Sequence, residues 1–401
     1  MSSPRTLVTP VSAGVVAALV GASSSFVVVL AGLTAVGATA EQAASGLVAL
    51  CIALAVGTAW LSLRHRTPIT LAWSTPGAAL LVSGGAVAGG WPAAVSAFLA
   101  TGALVVLTGL VPRLGDLVAA IPVSLARAML AGVLLPLCIE PVSALAASPA
   151  VVGPVVLTWL VLLRLAPRWA VPAALASALV VVLVTAGGQL HASDVVPTLT
   201  VTAPAWSGAA IIGIALPLYV VTMASQNVPG VAVMSGYGYR VPWRESMLLT
   251  GAGTMAAAPF GGHAVNLAAI TAALAAGPDA GPDRERRWIA PMAAAATYLV
   301  FAGAAGVVTA LVVAAPDGVM QSAAGLALLG TLAAALHDAL ADDSERASAV
   351  TCLVVAASGV TVLGVGAAFW ALVAGLVVRA TVARRAEPSA ADASPPVGPA
   401  Q

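Results

Sequence analysis

Apolar residues run through this chain in long blocks, built mainly from Ala, Val, Leu and Gly and interrupted by prolines, glycine clusters and single charges. Cutting at those interruptions gives about fourteen segments. The first set lies near 10–34, 43–63, 69–84, 92–111, 121–139, 150–166 and 170–187. The second lies near 209–236, 244–258, 260–276, 288–314, 319–337, 346–358 and 361–379. Most have about the 17–25 residues that a helix needs to cross a bilayer. Segments 69–84 and 260–276 are short, and each opens on Pro/Gly-rich sequence. Alternating ten-residue strands are not evident, which argues against a transmembrane barrel.

Composition turns this pattern into a class. Of 401 residues, 60% are hydrophobic and 8% charged, against about 25% charged in a soluble domain. Lipid is the solvent that such a surface fits. The N-terminal stretch to Ala35 is too long in its apolar part for a signal peptide and has Arg5 as its one basic residue, so it reads as a retained first helix. Cys51, Cys138 and Cys352 are scattered in apolar runs and read as small buried hydrophobes. The Pro/Ala/Ser-rich tail, 386–401, is expected to be disordered.

Charge placement gives orientation. All 16 basic residues are arginines. With the N-terminus inside, they gather on the cytoplasmic side, with Arg127 near the cytoplasmic start of the fifth segment. The outer loops carry Glu41, Glu140, Asp194 and Asp317 and no base. This is the positive-inside pattern, and an odd number of segments would break it. The long outer loop 188–207, with β-formers from Val195 to Thr202, divides the chain into two sets of seven. Seven is odd, so the halves enter the membrane from opposite sides, an inverted repeat. Ala22-Ser23-Ser24-Ser25-Phe26 in the first segment resembles Ala224-Ser225-Gln226-Asn227-Val228 in the eighth. The third segment and the tenth hold equivalent positions, and both read as a few extended residues, a break and a small-residue helix.

The candidate chemistry sits at these breaks. Ser74 suits an N-cap and Pro76 a first helical turn, within Ser74-Thr75-Pro76-Gly77. In the tenth segment Gly261 and Gly262 permit a sharp entry and close approach of a ligand before His263 and Ala264. Two half-helices starting near the bilayer midplane would face each other with free N–H groups and roughly half a positive charge each. That describes an anion site, which this sequence places between Ser74–Gly77 and Gly262–Ala264. Gln226 and Asn227 lie midway along the eighth segment, where uncharged amides need partners. They serve either helix packing or the site. His263 is the histidine at mid-membrane depth, and its reference pKa of about 6.5 allows proton exchange near neutrality; packing by a neutral imidazole is the alternative. Arg127 and Glu140 read as helix-end markers, and Asp338, Asp342, Asp343 and Glu345 as a solvated cytoplasmic turn. Paired metal-ligating histidines, an acid pair at depth and a nucleotide loop are missing. The chain is therefore read as a non-enzyme, with no cofactor, metal or nucleic acid expected.

Ser225-Gln226-Asn227-Val228-Pro229-Gly230 together with Phe260-Gly261-Gly262-His263-Ala264-Val265-Asn266 resemble the signature segments of the benzoate:proton symporter family (BenE-type). More remotely, the layout is similar to nucleobase:cation symporters and sulfate-permease-type anion carriers. The resemblance covers about residues 8–380. It implies an all-α membrane fold of fourteen segments in a 7+7 inverted repeat, the third and tenth each holding a short strand and a half-helix. It also implies a core domain, 8–112 and 208–315, and a gate domain, 120–190 and 318–380. Nucleobase carriers place acids on the eighth and tenth segments; the matching positions here are Gln226 and His263, which argues against a nucleobase and suits an anionic aromatic acid. The expected function is proton-coupled import of benzoate or a related aromatic carboxylate across a bacterial-type inner membrane. The carboxylate would be held by the helix ends and amides, with Phe26, Trp73 or Phe260 lining the ring and His263 coupling the proton. A homodimer stays open. The competing readings are a nucleobase or other anion carrier of the same fold, and a non-transporting scaffold.

Overall fold

In a bilayer every backbone N–H and C=O must find a partner within the protein, so apolar blocks of this length become helices. The computed structural model describes residues 5–86, 88–111, 113–115, 121–186, 199–362 and 365–383. The tail from 386 lies outside these residues, as does the outer loop up to 198, including His191 and Asp194. The first half comprises α1 (Arg5–Ala35), α2 (Ala40–His65), β1 (Leu71–Trp73), α3 (Thr75–Gly84), α4 (Gly90–Leu110), α5 (Val123–Ala147), α6 (Pro149–Leu165) and α7 (Pro167–Ala186). The second comprises α8 (Gly208–Gly236), α9 (Trp243–Ala257), β2 (Val265–Leu267), α10 (Ile270–Ala276), α11 (Ile289–Val313), α12 (Val319–Leu340), α13 (Arg346–Ala357) and α14 (Ala367–Ala383). By length and composition α1, α2, α4, α5, α7, α8, α11 and α12 are apolar enough to cross a membrane, and α6 and α14 are shorter apolar helices.

The two strands pair antiparallel, Leu71 with Leu267, Ala72 with Asn266 and Trp73 with Val265. Flanking bonds repeat the same relation on both sides: Ser74 N–H donates to Ala264 O (3.1 Å) and Ala268 N–H to Thr70 O (2.9 Å). Each residue near one strand corresponds to the residue 194 later near the other (70 to 264, 74 to 268). The inverted repeat is thus visible at the level of single hydrogen bonds.

The helices sort into two packed groups. In one, α11 lies along α1 and α2, α9 along α4, and α3 against α1. In the other, α12 and α13 lie along α5, α6 along α7, and α14 along α13. The groups meet where α1 touches α7 and α12, and where α3 touches α5. Small residues set the spacing. A side chain on Gly46 of α2 would come within 2.5 Å of the Gly261 carbonyl oxygen, so the backbone of the second break rests directly on α2.

Candidate functional site

Helix α3 begins as its sequence predicts. Ser74 is the N-cap, its Oγ accepting from Gly77 N–H at 3.1 Å, and Pro76 sits in the first turn, where its missing N–H costs nothing. Ser74 Oγ also shares a 2.8 Å hydrogen bond with Thr222 Oγ1 of α8, tying the cap to the second half.

Helix α8 is not uniformly α. Two π turns, Ile211–Ala215 and Met223–Asn227, interrupt it. Each ends two residues before a proline, Pro217 or Pro229. Proline has no N–H to give and its ring crowds the carbonyl four residues back; widening the preceding turn relieves that conflict, and such bulges concentrate at functional sites. The second π turn carries Ser225, Gln226 and Asn227.

A cavity of about 640 Å³ lies between the two packed groups. One wall is formed by Ser25 of α1, Trp73, Thr75 and Pro76 at the start of α3, and Ser225 and Gln226 in the π turn. Ala268, Ala269 and Thr271 from the second break and Tyr298 of α11 complete it. Trp73 Nε1 donates to Ser25 Oγ (2.7 Å), and Tyr298 donates its hydroxyl proton to Leu71 O (3.1 Å). The Trp73 and Tyr298 rings are tilted at 6.5 Å, with Phe26 edge-on behind Trp73 at 6.2 Å. The opposite wall comes from α5, α7 and α12, and includes Arg127, Arg168 and Asp338. Arg127 and Arg168 lie in the first turns of α5 and α7 and Asp338 in the last turns of α12, where Pro167, Arg168 and Ala334 are exposed.

Of the residues expected at the site, Trp73, Thr75, Pro76 and Gln226 line this cavity. The others do not line it, and each has a different local contact. A side chain on Gly77 would meet Leu218 at 2.3 Å, so Gly77 lets α3 close on α8. Asn227 turns away to accept Leu267 N–H with its Oδ1 (2.8 Å). Gly261 adopts φ +100° in a reverse turn, a side chain on Gly262 would strike Ala257, and the Phe260 carbonyl accepts from Ser45 Oγ at 2.8 Å. Ala264 serves the strand edge through its carbonyl. His263 is buried. Its Nε2–H donates to the Ser74 carbonyl at 2.9 Å, its ring meets Phe98 edge-on at 6.5 Å, and Nδ1 has no hydrogen-bond partner.

One expectation is corrected outright. The second half-helix starts at Ile270, not at Gly262–Ala264. The glycines mark the end of a 3₁₀ turn, Ala258–Phe260, and the chain must then run extended through Val265–Leu267 to satisfy the backbone of β1. The counterpart of the Ser74 cap is therefore Ala268, six residues beyond the glycine pair. Arg127 and Asp338, read as a helix end and a solvated turn, both face the cavity. Sequence reasoning assigns no role to Tyr298, Ser25, Ser225 or Thr271. A lone tyrosine in the middle of an apolar segment is the one signal for Tyr298, since tyrosines favour the membrane interface.

The two packed groups, the repeat and the cavity between them define a multi-pass membrane transporter, not an enzyme. The chain belongs to the benzoate membrane transport protein family (BenE), whose sequence profile matches residues 5–381. It is 41% identical over 368 residues to the inner membrane protein YdcO of Escherichia coli (strain K12), covering 90% of this chain and 93% of that one. It is 29% identical over 377 residues to the benzoate membrane transport protein of Acinetobacter baylyi (strain ATCC 33305 / BD413 / ADP1), covering 91% and 93%. Its fold is shared with the transmembrane domain of a cyanobacterium bicarbonate transporter, BicA (TM-score 0.58, 15% identity, 94% of this chain and 98% of that one). It is shared too with the murine Slc26a9 anion transporter in the inward-facing state (TM-score 0.63, 13% identity, 96% and 69%).

Proposed function

We propose that this protein is a secondary transporter that imports benzoate or a related aromatic carboxylate with a proton, by alternating access, across a bacterial inner membrane. The observation that carries the reading is the cavity wall around Trp73. It joins two aromatic rings, an uncharged amide at Gln226 and the N-terminal turn of α3 in one place. An aromatic ring would lie on Trp73 and Tyr298, and a carboxylate would take the Thr75 N–H, which the Ser74 cap leaves over at the start of α3, and the Gln226 amide. No carboxylate side chain stands on this wall among the described residues to repel it.

The group containing α1–α4 and α8–α11 acts as the core, and that containing α5–α7 and α12–α14 as the gate. On the reading of fourteen crossings with both termini inside, which the positive-inside pattern supports, the cavity mouth with Arg127 and Arg168 faces the cytoplasm and this conformation is open inward. Movement of core against gate closes that mouth and opens the other. His263 is the candidate for proton coupling. Its bond to the Ser74 carbonyl connects its protonation to the cap of α3, one residue from Thr75 in the cavity wall.

Uptake of labelled benzoate into proteoliposomes, driven by an inward proton gradient, tests the reading. Accumulation that collapses when the gradient is dissipated is expected. Absence of benzoate uptake alongside robust uptake of uracil or sulfate overturns the substrate assignment.

A further inference from the structure

The two walls of the cavity differ in kind. The core wall is aromatic, amide and hydroxyl; every charged side chain in the described lining stands on the gate wall. Arg127 and Arg168 against Asp338 leave that wall one positive charge in excess, in a cleft where low-dielectric sides concentrate the field. Arg127 projects from the first turns of α5, largely buried, with 20% of its side chain exposed. Its Nε lies 3.4 Å from Asp338 Oδ2, an ion pair, yet that buried nitrogen makes no hydrogen bond of good geometry. Asp338, in the last turns of α12, is 40% exposed, so water readily replaces Arg127 as its partner. Arg168, at the start of α7, has no ion-pair partner among the described residues.

A guanidinium has five N–H donors in a fixed fork that matches a carboxylate in a bidentate pair. At Arg127 that fork is held loosely by an internal carboxylate that is easily rehydrated. The cavity volume is in the range that holds drug-sized ligands, so a single-ring acid fills part of it and leaves room for a second position near the mouth.

We propose that Arg127 is a specificity-determining residue, which takes the carboxylate of an aromatic acid at the gate wall in exchange for Asp338. Asp338 is a built-in competitor that keeps the anion from being trapped, and Arg168 raises the anion concentration at the mouth. This rests on the aromatic-carboxylate reading above and adds a second station to it.

The test is equilibrium binding of labelled benzoate, and of its neutral analogue benzamide, to purified full-length protein. Arg127→Gln is expected to weaken benzoate by roughly tenfold or more while leaving benzamide within about twofold. Arg127→Lys keeps part of the affinity, because the charge stays and the fork is lost. Asp338→Asn tightens benzoate by roughly three- to tenfold, and slows its release. The double variant Arg127→Gln/Asp338→Asn stays as weak as Arg127→Gln. A purely structural ion pair predicts the opposite, since neutralising both partners would restore wild-type binding. Restoration in the double variant, or unchanged benzoate affinity in either single variant, overturns the proposal while benzoate binding by the wild type leaves the transport reading standing. If Arg127→Gln does not fold, the affinity of Asp338→Asn decides alone. A wild type that binds no benzoate overturns both.

Discussion

Thr58 and Thr254 perform the same task at opposite edges of the strand pair. Thr58 Oγ1 of α2 accepts the N–H of Leu71 at 3.0 Å, and Thr254 Oγ1 of α9 accepts the N–H of Val265 at 2.9 Å. Both hydroxyls are buried and each takes a strand-end donor that has no water to turn to. Replacing either with Val keeps the shape and orphans that donor. Each substitution is expected to cost about 1–3 kcal/mol, and the two to cost alike, measured as unfolding in detergent. A clear loss at one site and none at the other would show that the local repeat is geometric only.

Gly46 has a different kind of constraint. Its Cα faces the Gly261 carbonyl, and a methyl group there would need the backbone of the second break to move. Gly46→Ala is expected to destabilise by about 1–3 kcal/mol through overpacking, seen as a lower melting temperature. Gly236, where a side chain would meet nothing within 4 Å, is the control: Gly236→Ala leaves stability unchanged or slightly raised.

Gln226 and Asn227 are neighbours with separate work. Gln226 lines the cavity, whereas Asn227 Oδ1 holds Leu267 N–H. Gln226→Ala should raise KM for benzoate uptake several-fold with little change in melting temperature. Asn227→Leu should lower the melting temperature, with about 1–3 kcal/mol lost from the orphaned donor. Equal effects on both readouts for both variants would remove the distinction.

His263→Gln keeps a side-chain N–H for the Ser74 carbonyl and removes the titrating ring. Benzoate binding is expected to stay measurable while the dependence of uptake on pH flattens, read from initial rates across a pH series. Coupling that is identical in the variant assigns the proton to another route, or to the substrate carried as the undissociated acid.

Much of the fold is legible in the sequence because lipid enforces simple rules. Apolar blocks give most helices within a few residues, although α5 runs through Glu140 to Ala147, eight residues past its expected end, and α14 starts at Ala367, six past its expected start. Ser74 with Pro76 gives the start of α3 because a cap and a first-turn proline are local chemistry. The start of α10 is not legible in the same way, because Gly261-Gly262 signals a break without specifying the conformation of the residues beyond it. Val265-Asn266-Leu267 becomes a strand only because β1 needs a partner. The cavity's Tyr298, Arg127 and Asp338 belong to no motif; they meet through the packing of helices far apart in sequence. His263, conspicuous in sequence by its depth, spends its described hydrogen bond on the backbone instead of the cavity.

The pairing of β1 with β2 also orders events in time. A ribosome adding about 5–20 residues per second delivers Val265 roughly 10–40 s after Leu71. Until then the first break waits in the bilayer with peptide groups that lipid cannot satisfy, each at a cost of several kcal/mol. A nascent first half therefore carries an unfinished edge that needs shelter, from water, a chaperone or the insertion machinery. The second half does not add a domain to a finished one; its arrival completes the first.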